Sequence, residues 1–340
     1  MRICFHGAGA LGSLFGGCLA EAGHDVVLIA RPAHADAIRE GGLRLTGLRG
    51  DHVVRERLET VTDVRDVTGE LDVYALTVKA KATEAALSEA SLLVSRTACA
   101  LSFQNTVVKD DALLSAFGPD RVLGASTIEG ATLIEPGLVR HTATCPTTAY
   151  FGELDGRTSP RSDEIAQVFN DAGFASKSVD VIRQVEWEKL LQIGTVASWS
   201  VCALAAVPDA VIADGMANRY GAELYVTLAT ELLAIYRSLG FEPQDFYAPY
   251  SRYRELGGWS FEEAVEQIVA QGESMKAAGL TGRTSMHEDV LRGRRTEAPE
   301  ILGPFLEQAD AAGLESPTLR AVHRVVMTVD ALLFGRSRSS

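Results

Sequence analysis

The sequence predicts an α/β domain built on a mostly parallel sheet, followed by an all-α domain. Three observations carry that expectation. Strand and helix signals alternate through the first half, the pattern of parallel strands joined by helical crossovers. From about Val181 the valine-rich runs give way to long segments with apolar residues at three- and four-residue spacing, the helical period. The 340 residues also exceed what one core serves, about 250–300 residues. The expected division is into residues 1–180 and 181–335.

The chain opens MRICFHGAGALGSLFGGCLAEAGHDVVLIAR. Residues 2–6 read as a short buried strand, a helix of small and apolar residues ends near Gly23, and residues 25–30 read as a second strand. Between the first strand and the helix stands Gly7-Ala8-Gly9-Ala10-Leu11-Gly12, a G-x-G-x-x-G. Alone that pattern is weak. Set in strand, turn, helix and strand, it is the dinucleotide-binding fingerprint of a Rossmann domain. Gly7 permits the tight turn, Gly9 lets the backbone approach a pyrophosphate, and Gly12 lets the helix pack on the strand. The helix N-terminus adds unpaired N–H groups and a positive dipole end. The segment also mimics a signal peptide, but its glycines and His6 make a poor hydrophobic region, and strand plus helix accounts for all of it.

The end of the second strand selects the cofactor. An NAD site places an acid there to accept from the ribose 2′-hydroxyl. This chain has Ala30 and Arg31, and a guanidinium suits a 2′-phosphate. NADP(H) is therefore the expected cofactor, the plainer alternative being that Arg31 is a solvated loop residue.

Further strands are expected at residues 71–79, 97–103 and 121–128, with helices at 82–93 and 110–117 between them. Residues 131–134, 138–142 and 148–152 are short, β-rich and punctuated by Pro136, Gly137 and Pro146, which predicts antiparallel hairpins. Helices follow at 187–204, 221–239, 261–275, 303–312 and 316–333, with Pro299, Pro304 and Pro317 near their starts. Residues 336–340 form a tail expected to fray.

A net charge of −13 argues against nucleic acid as the main partner, since phosphate binding wants Lys and Arg in excess. The five cysteines are scattered, with no C-x-x-C or Cys/His cluster, so neither a metal site nor a disulfide framework is expected. That usage fits a reducing cytoplasm. No stretch offers the ~18 uninterrupted apolar residues of a membrane span.

Reduction of a carbonyl needs a proton donor, substrate anchors and little water. Lys79 and Asn105 follow strand ends that should open onto the cleft, Lys79 toward a cofactor phosphate or ribose and Asn105 toward substrate or nicotinamide. A solvated lysine and a turn-forming asparagine are the plainer readings. Glu186-Trp187-Glu188-Lys189-Leu190-Leu191 heads a helix with no charge between Leu190 and Val207. A lysine facing a cleft there would be partly desolvated and ready to release its proton, although it could instead snorkel to the surface. Ser285, in a run of small hydroxyls and arginines, suits a carboxylate ligand, or a solvated surface. His287 is a second acid candidate, more plainly an ordinary histidine on a helix surface.

These motifs resemble the ketopantoate reductase family (2-dehydropantoate 2-reductases) over essentially the whole chain. The likeness is carried by Gly7 to Gly12, Arg31, Val78-Lys79, Gln104-Asn105, Trp187-x-Lys189-Leu190, Ser285-Met286-x-x-Asp289 and Arg295-Thr296-Glu297. It implies a Rossmann domain followed by a helical domain like the C-terminal domain of 6-phosphogluconate dehydrogenases. It implies NADPH-dependent reduction of a 2-oxo acid in pantothenate biosynthesis. Lys189 would be the general acid, with Glu297 its acidic partner and a substrate ligand. Ser285 would bind the substrate carboxylate, and Asn105 would serve substrate and nicotinamide. Arg31 would hold the 2′-phosphate and Lys79 the cofactor. Family members are often homodimers.

Three departures bear on the substrate. Members that reduce ketopantoate carry Asn four and eight residues after the lysine, where this chain has Ile193 and Ala197, and Asn where it has Gly282. A pocket without those amides leaves a substrate hydroxyl unpaired. The leading expectation is a 2-oxo acid reductase with ketopantoate as default substrate. A reductase of a larger, apolar ketone or imine is the alternative, and a non-catalytic NADP(H) sensor a third. Retention of both Lys189 and Glu297 argues against the sensor.

Overall fold

Alternating strand and helix signals in the first half assemble one parallel sheet. In order come β1 (Arg2–His6), α1 (Ala10–Glu21), β2 (Asp25–Ile29), α2 (Pro32–Gly41), β3 (Leu43–Gly47), β4 (His52–Val54), β5 (Leu58–Val61), β6 (Leu71–Leu76), α3 (Thr83–Ala90), β7 (Thr97–Ser102) and α4 (Lys109–Phe117). Five strands pair in parallel in the order β5-β2-β1-β6-β7. The sheet is apolar on both faces, as parallel strands covered by helices must be. On one side Ile3 and Phe5 join an aromatic cluster of Phe15, Phe103, Phe151, Phe169 and Phe174. On the other, Cys4 and Tyr74 pack against Leu113 and Phe117.

The β-rich stretch that follows departs from simple hairpins. It comprises β8 (Gly124–Thr127), β9 (Gly130–Glu135), β10 (Leu138–Ala143), β11 (Ala149–Gly152), α5 (Pro160–Asp171) and β12 (Ser176–Ser178). The β9–β10 pair is the expected antiparallel hairpin, but β10 also pairs in parallel with β3, giving a second sheet β4-β3-β10-β9. Strands β12, β11 and β8 form a third sheet. The expected strand at 121–128 thus leaves the main sheet after a single bridge, Ala100 to Val122. His34 ties these layers together. Its Nδ1 accepts from the Gly137 N–H at 2.9 Å, which places the proton on Nε2 to meet Ser13 Oγ at 2.9 Å.

The computed structural model describes residues 1–337 and divides into two units, Met1–Glu186 and the part from Trp187 onward. The later elements are α6 (Ile182–Leu204), α7 (Ile212–Ala217), α8 (Arg219–Ser238), α9 (Tyr253–Leu256), α10 (Phe261–Ala277), α11 (Ser285–Leu291), α12 (Ala298–Ala312) and α13 (Pro317–Ser337). Pro299 and Pro317 stand in first turns as expected, whereas Pro304 lies inside α12, buried, because that helix starts five residues earlier than its periodicity indicates. The tail expected to fray is helical through Arg336 and Ser337, and its remaining residues lie outside those described. Trp199 is fully buried and donates from Nε1 to Gly221 O at 2.7 Å. Close backbone approach locks α7 to its neighbours, since a Cβ on Gly272 would fall 2.2 Å from Ala217 N. Among the described residues, no helix is long and apolar enough to cross a membrane, and no group of three or more His, Cys, Asp or Glu could hold a metal ion.

One polar cluster lies within the first unit. Lys109, at the start of α4, donates from Nζ to Asp110 Oδ1 at 2.8 Å and to Glu186 Oε1 at 2.5 Å. All three are almost wholly buried, at 2%, 0% and 4% exposure. Burial, then the Asp110 charge, pushes the Glu186 carboxyl up to about 8 against the opposing pull of Lys109. Burial would lower the Lys109 ammonium, but Asp110 and Glu186 hold it above its ordinary range. Lys109 thus lies between Asp110 and a protonated Glu186, with the Arg183 guanidinium 3.8 Å from the other Asp110 oxygen, which avoids an uncompensated buried charge.

The sign of the pH dependence follows. A carboxyl raised on folding stabilises the fold below the ordinary carboxylate range, and that contribution disappears as pH rises through about 8. The melting temperature of the protein is expected to fall from about pH 5 to about pH 8 and to level off above that. Glu186→Gln, which mimics the protonated form, should flatten that slope. Equal slopes in both proteins would show that Glu186 does not titrate in this window.

Candidate active site

In the first unit the candidate residues gather at the carboxyl ends of β1, β2, β6 and β7, where a doubly wound sheet places its ligand. The turn after β1 is built around backbone. Gly7 takes φ +110°, and a Cβ there would lie 2.5 Å from Val78 N. A Cβ on Gly12 would lie 2.7 Å from both Gly7 O and Thr77 Oγ1. Both positions therefore need glycine for the protein's own packing. Gly9 differs, since its Cβ would meet only Gly7 O at 3.9 Å. The space over Gly9 is open, which is where the backbone should admit a pyrophosphate. Gly9 is also the N-cap of α1 without side-chain capping or an acid in the first turn. The first helical bond runs from Ser13 N–H to Gly9 O at 3.0 Å, so the amides of Ala10, Leu11 and Gly12 remain for a ligand. These residues fit a dinucleotide.

The neighbouring strand ends are pinned to this turn. Ile29 O accepts from Gly7 N at 3.3 Å and Ala8 N at 2.9 Å, drawing the end of β2 beside the loop. Two residues on, Arg31 caps α2 with an exposed side chain, and its guanidinium makes no hydrogen bond or ion pair among the described residues. Thr77 Oγ1 donates to Gly7 O at 2.9 Å. Gln104 is buried and donates from Nε2 to Val78 O at 2.9 Å and Thr83 Oγ1 at 2.8 Å. Through these bonds exposed Lys79 and half-buried Asn105 stand beside the glycine loop. Thr77 was missed by sequence reasoning, and only its place one residue past the β6 strand could have flagged it.

In the second unit the candidate residues come from α6, α11 and α12. Lys189 is buried at 6% exposure, Ile193 is half-buried and Ala197 is buried at 5%. Spacings of four place them on one stripe of α6, and Ser200 continues it a turn later. Ser200 Oγ lies 2.7 Å from Thr284 Oγ1, and Thr284 caps α11 by accepting from His287 N–H at 3.1 Å. The stripe is thereby joined to the start of α11, where Ser285 is exposed. Trp187 meets Phe305 edge-on at 5.3 Å, and Gly194 faces Ile301, Leu302 and Phe305 at 3.5–3.7 Å from its would-be Cβ, so α12 packs on α6. Half-buried Glu297 is the residue just ahead of α12.

His287 overturns an expectation. It is not on a helix surface but fully buried, with neither ring nitrogen partnered among the described residues. Burial, then Arg283, lowers its pKa, so the ring is neutral and packs as an apolar group. Glu188 was missed altogether. Its buried carboxylate accepts from Gln244 N–H at 2.7 Å, Phe246 N–H at 2.9 Å and Tyr236 OH at 3.3 Å, fixing the loop after α8 against the residue beside Lys189. Its spacing to that loop, over fifty residues, leaves no local signal.

Comparison with known proteins agrees with both halves. Residues 3–156 match the family model described as ketopantoate reductase PanE/ApbA, and residues 181–330 match its C-terminal counterpart. A 2-dehydropantoate 2-reductase of Archaeoglobus fulgidus is 27% identical over 332 residues, covering 97% of this chain and 98% of its own. The crystal structure of a PanE/ApbA family ketopantoate reductase from Ralstonia eutropha superposes with a TM-score of 0.76 at 25% identity, over 98% of this chain and 99% of that one. A D-mandelate dehydrogenase solved with NADH and anilino(oxo)acetate shares the fold, with a TM-score of 0.77 at 20% identity over 98% and 99% of the two chains. A glycine cradle, a lysine stripe and matches to both halves of one family lead to a single conclusion: this chain belongs to the ketopantoate reductase family, oxidoreductases that reduce a 2-oxo acid with a nicotinamide dinucleotide.

Proposed function

We propose that the chain is an NADPH-dependent reductase of the 2-dehydropantoate 2-reductase type, with Lys189 as general acid. The observation that carries this reading is the α6 stripe, a buried lysine at the head of an uncharged helix face that is hydrogen-bonded through Ser200 to the cap of Ser285's helix. Arg31 holds the 2′-phosphate, Gly7, Ala8, Gly9, Ala10, Leu11 and Gly12 cradle the pyrophosphate, and Lys79 and Asn105 contact the cofactor. When bound, the nicotinamide supplies the hydride.

The protein's own task is the proton. The Lys189 ammonium donates it to the carbonyl oxygen as negative charge develops there, which yields the alcohol and a neutral amine that solvent reprotonates. Glu297 favours the charged lysine and binds substrate, while Ser285 Oγ donates to the substrate carboxylate. Asn105 orients substrate and nicotinamide.

The substrate is the finer question. Ketopantoate is the reference, but Ile193 and Ala197 on the lysine stripe favour a second reading, a 2-oxo acid or ketone with a larger apolar side chain. A methyl-lined wall offers no partner to a substrate hydroxyl, whose loss costs about 0.5–1.5 kcal/mol per hydrogen bond. The D-mandelate dehydrogenase carries, on the same fold, an aromatic 2-oxo acid derivative.

Arg31→Ala should weaken NADPH binding by about 30–150-fold, the worth of a charge-assisted bidentate contact, and leave NADH nearly unchanged. Calorimetric titration of both cofactors checks this, and equal losses would refute the 2′-phosphate assignment. Lys189→Ala should lower kcat by about 10²–10⁴ at unchanged NADPH affinity and melting temperature. Turnover within a few-fold of the parent would place the proton donor elsewhere. For specificity, ketopantoate is compared with trimethylpyruvate, the same molecule lacking its hydroxyl. The parent should prefer trimethylpyruvate by about 10–1000-fold in kcat/KM, and Ile193→Asn/Ala197→Asn should narrow the gap. A parent that reduces ketopantoate at least as efficiently as trimethylpyruvate would make Ile193 and Ala197 mere packing residues.

A further inference from the structure

Glu297 does not cap the helix it precedes. Residue 297 has φ −100° and ψ 24° and makes no side-chain capping bond to α12. The preceding residue does that work instead, because Thr296 Oγ1 accepts from Ala298 N–H at 3.3 Å. Thr296 is in turn gripped by one distant carboxylate. Asp330, within α13, accepts from Thr296 N–H at Oδ1, 3.0 Å away, and from Thr296 Oγ1 at Oδ2, 2.8 Å away. Both residues are buried, Thr296 at 4% and Asp330 at 2% exposure. A two-point grip on the residue immediately before Glu297 fixes the direction in which the chain enters position 297, and the cap on Ala298 fixes how it leaves.

A buried carboxylate is a costly group to keep, and its place is explained when its two oxygens are spent on one partner. Helices α12 and α13 also bury apolar side chains, Leu302 and Phe305 on one and Leu319 and Val326 on the other. Apolar packing is non-directional and tolerates small slides, whereas two hydrogen bonds to one backbone site do not. We infer that Asp330 is a positioning residue, acting through Thr296 to hold the Glu297 carboxylate at the place the reaction needs. This inference rests on the reading of Glu297 as the partner of Lys189. It assigns Asp330 no contact with substrate or cofactor.

The test compares Asp330→Ala, Asp330→Asn, Thr296→Val, Thr296→Ser and Glu297→Gln in the full-length protein, with NADPH and trimethylpyruvate. Asparagine keeps an acceptor for the Thr296 N–H, and serine keeps the hydroxyl, so these two are the rescuing variants. Asp330→Ala and Thr296→Val should lower kcat by about 10–100-fold, the cost of a misplacement near 1 Å, with the KM for NADPH unchanged. Asp330→Asn and Thr296→Ser should stay within about threefold of the parent, as changes that retain the hydrogen bond. The pH profile distinguishes positioning from mere support of the fold. A general acid works only while protonated, and a nearby carboxylate holds its proton to higher pH. Displacing Glu297 should therefore move the alkaline limb of kcat/KM down by about one pH unit in Asp330→Ala and Thr296→Val, in the direction of the Glu297→Gln profile. Lowered melting temperatures with kcat and the alkaline limb of the parent would overturn the proposal and leave Asp330 a fold-stabilising residue. A Glu297→Gln protein with parental kcat and pH profile would instead overturn the reading of Glu297, and this proposal with it.

Discussion

The geometry of the first unit depends on one backbone carbonyl. Gly7 O accepts from Gly9 N–H at 2.6 Å and from Thr77 Oγ1 at 2.9 Å, and it approaches Gly12 so closely that no side chain fits there. The turn after β1, the entry to α1 and the end of β6 meet at that atom. Any residue with a Cβ at position 7 or 12 would push them apart by about an ångström or more, and the amides at the head of α1 would no longer converge. Apolar burial then holds the frame, with Phe15 packed 4.8 Å from Phe174 and 4.9 Å from Phe103 behind the helix. Cofactor binding and core packing are thus served by the same few atoms.

Much of this was legible in the sequence because it is local. The strand–glycine–helix–strand unit spans some thirty residues, and every role assigned to its glycines involves near neighbours. Helical periodicity likewise marked α6, α8, α10, α12 and α13, each long enough to show its apolar face. What escaped is long-range or short. The second sheet exists because β3 pairs with β10, and Leu138 and Arg44, its first partners, are far apart in the chain. Helices α7, α9 and α11 have too few residues to display a period. Pro304 misled because proline favours first turns, and a buried interior proline is tolerated only where tertiary packing compensates its missing N–H.

The polar interior shows the same division. Lys189 could be singled out because the stretch from Leu190 to Val207 after it carries no charge, a property of one segment. Lys109 and Glu186 could not, since 77 residues separate a pair that meets at 2.5 Å. Nor could Glu188, whose partners are the amides of a loop after α8. The misplacement of His287 has the same cause. Its position in the first turn of a short helix says nothing about what covers it.

Helix α6 returns three of its hydroxyls to its own backbone. Thr195 Oγ1 returns to Leu191 O at 2.8 Å, Ser198 Oγ to Gly194 O, and Ser200 Oγ to Ala197 O at 2.8 Å. Each hydroxyl that bonds back to the preceding turn has its donor satisfied within the helix, even where Thr195 and Ser200 also meet Tyr253 and Thr284. A scaffold of that kind has spare evolutionary freedom. The residues between the hydroxyls, Ile193 and Ala197 among them, can be exchanged between amide and alkyl side chains without stranding a partner on another helix. Diversification of what such an enzyme accepts can therefore proceed by single steps along one helical stripe, each step leaving the folded state intact.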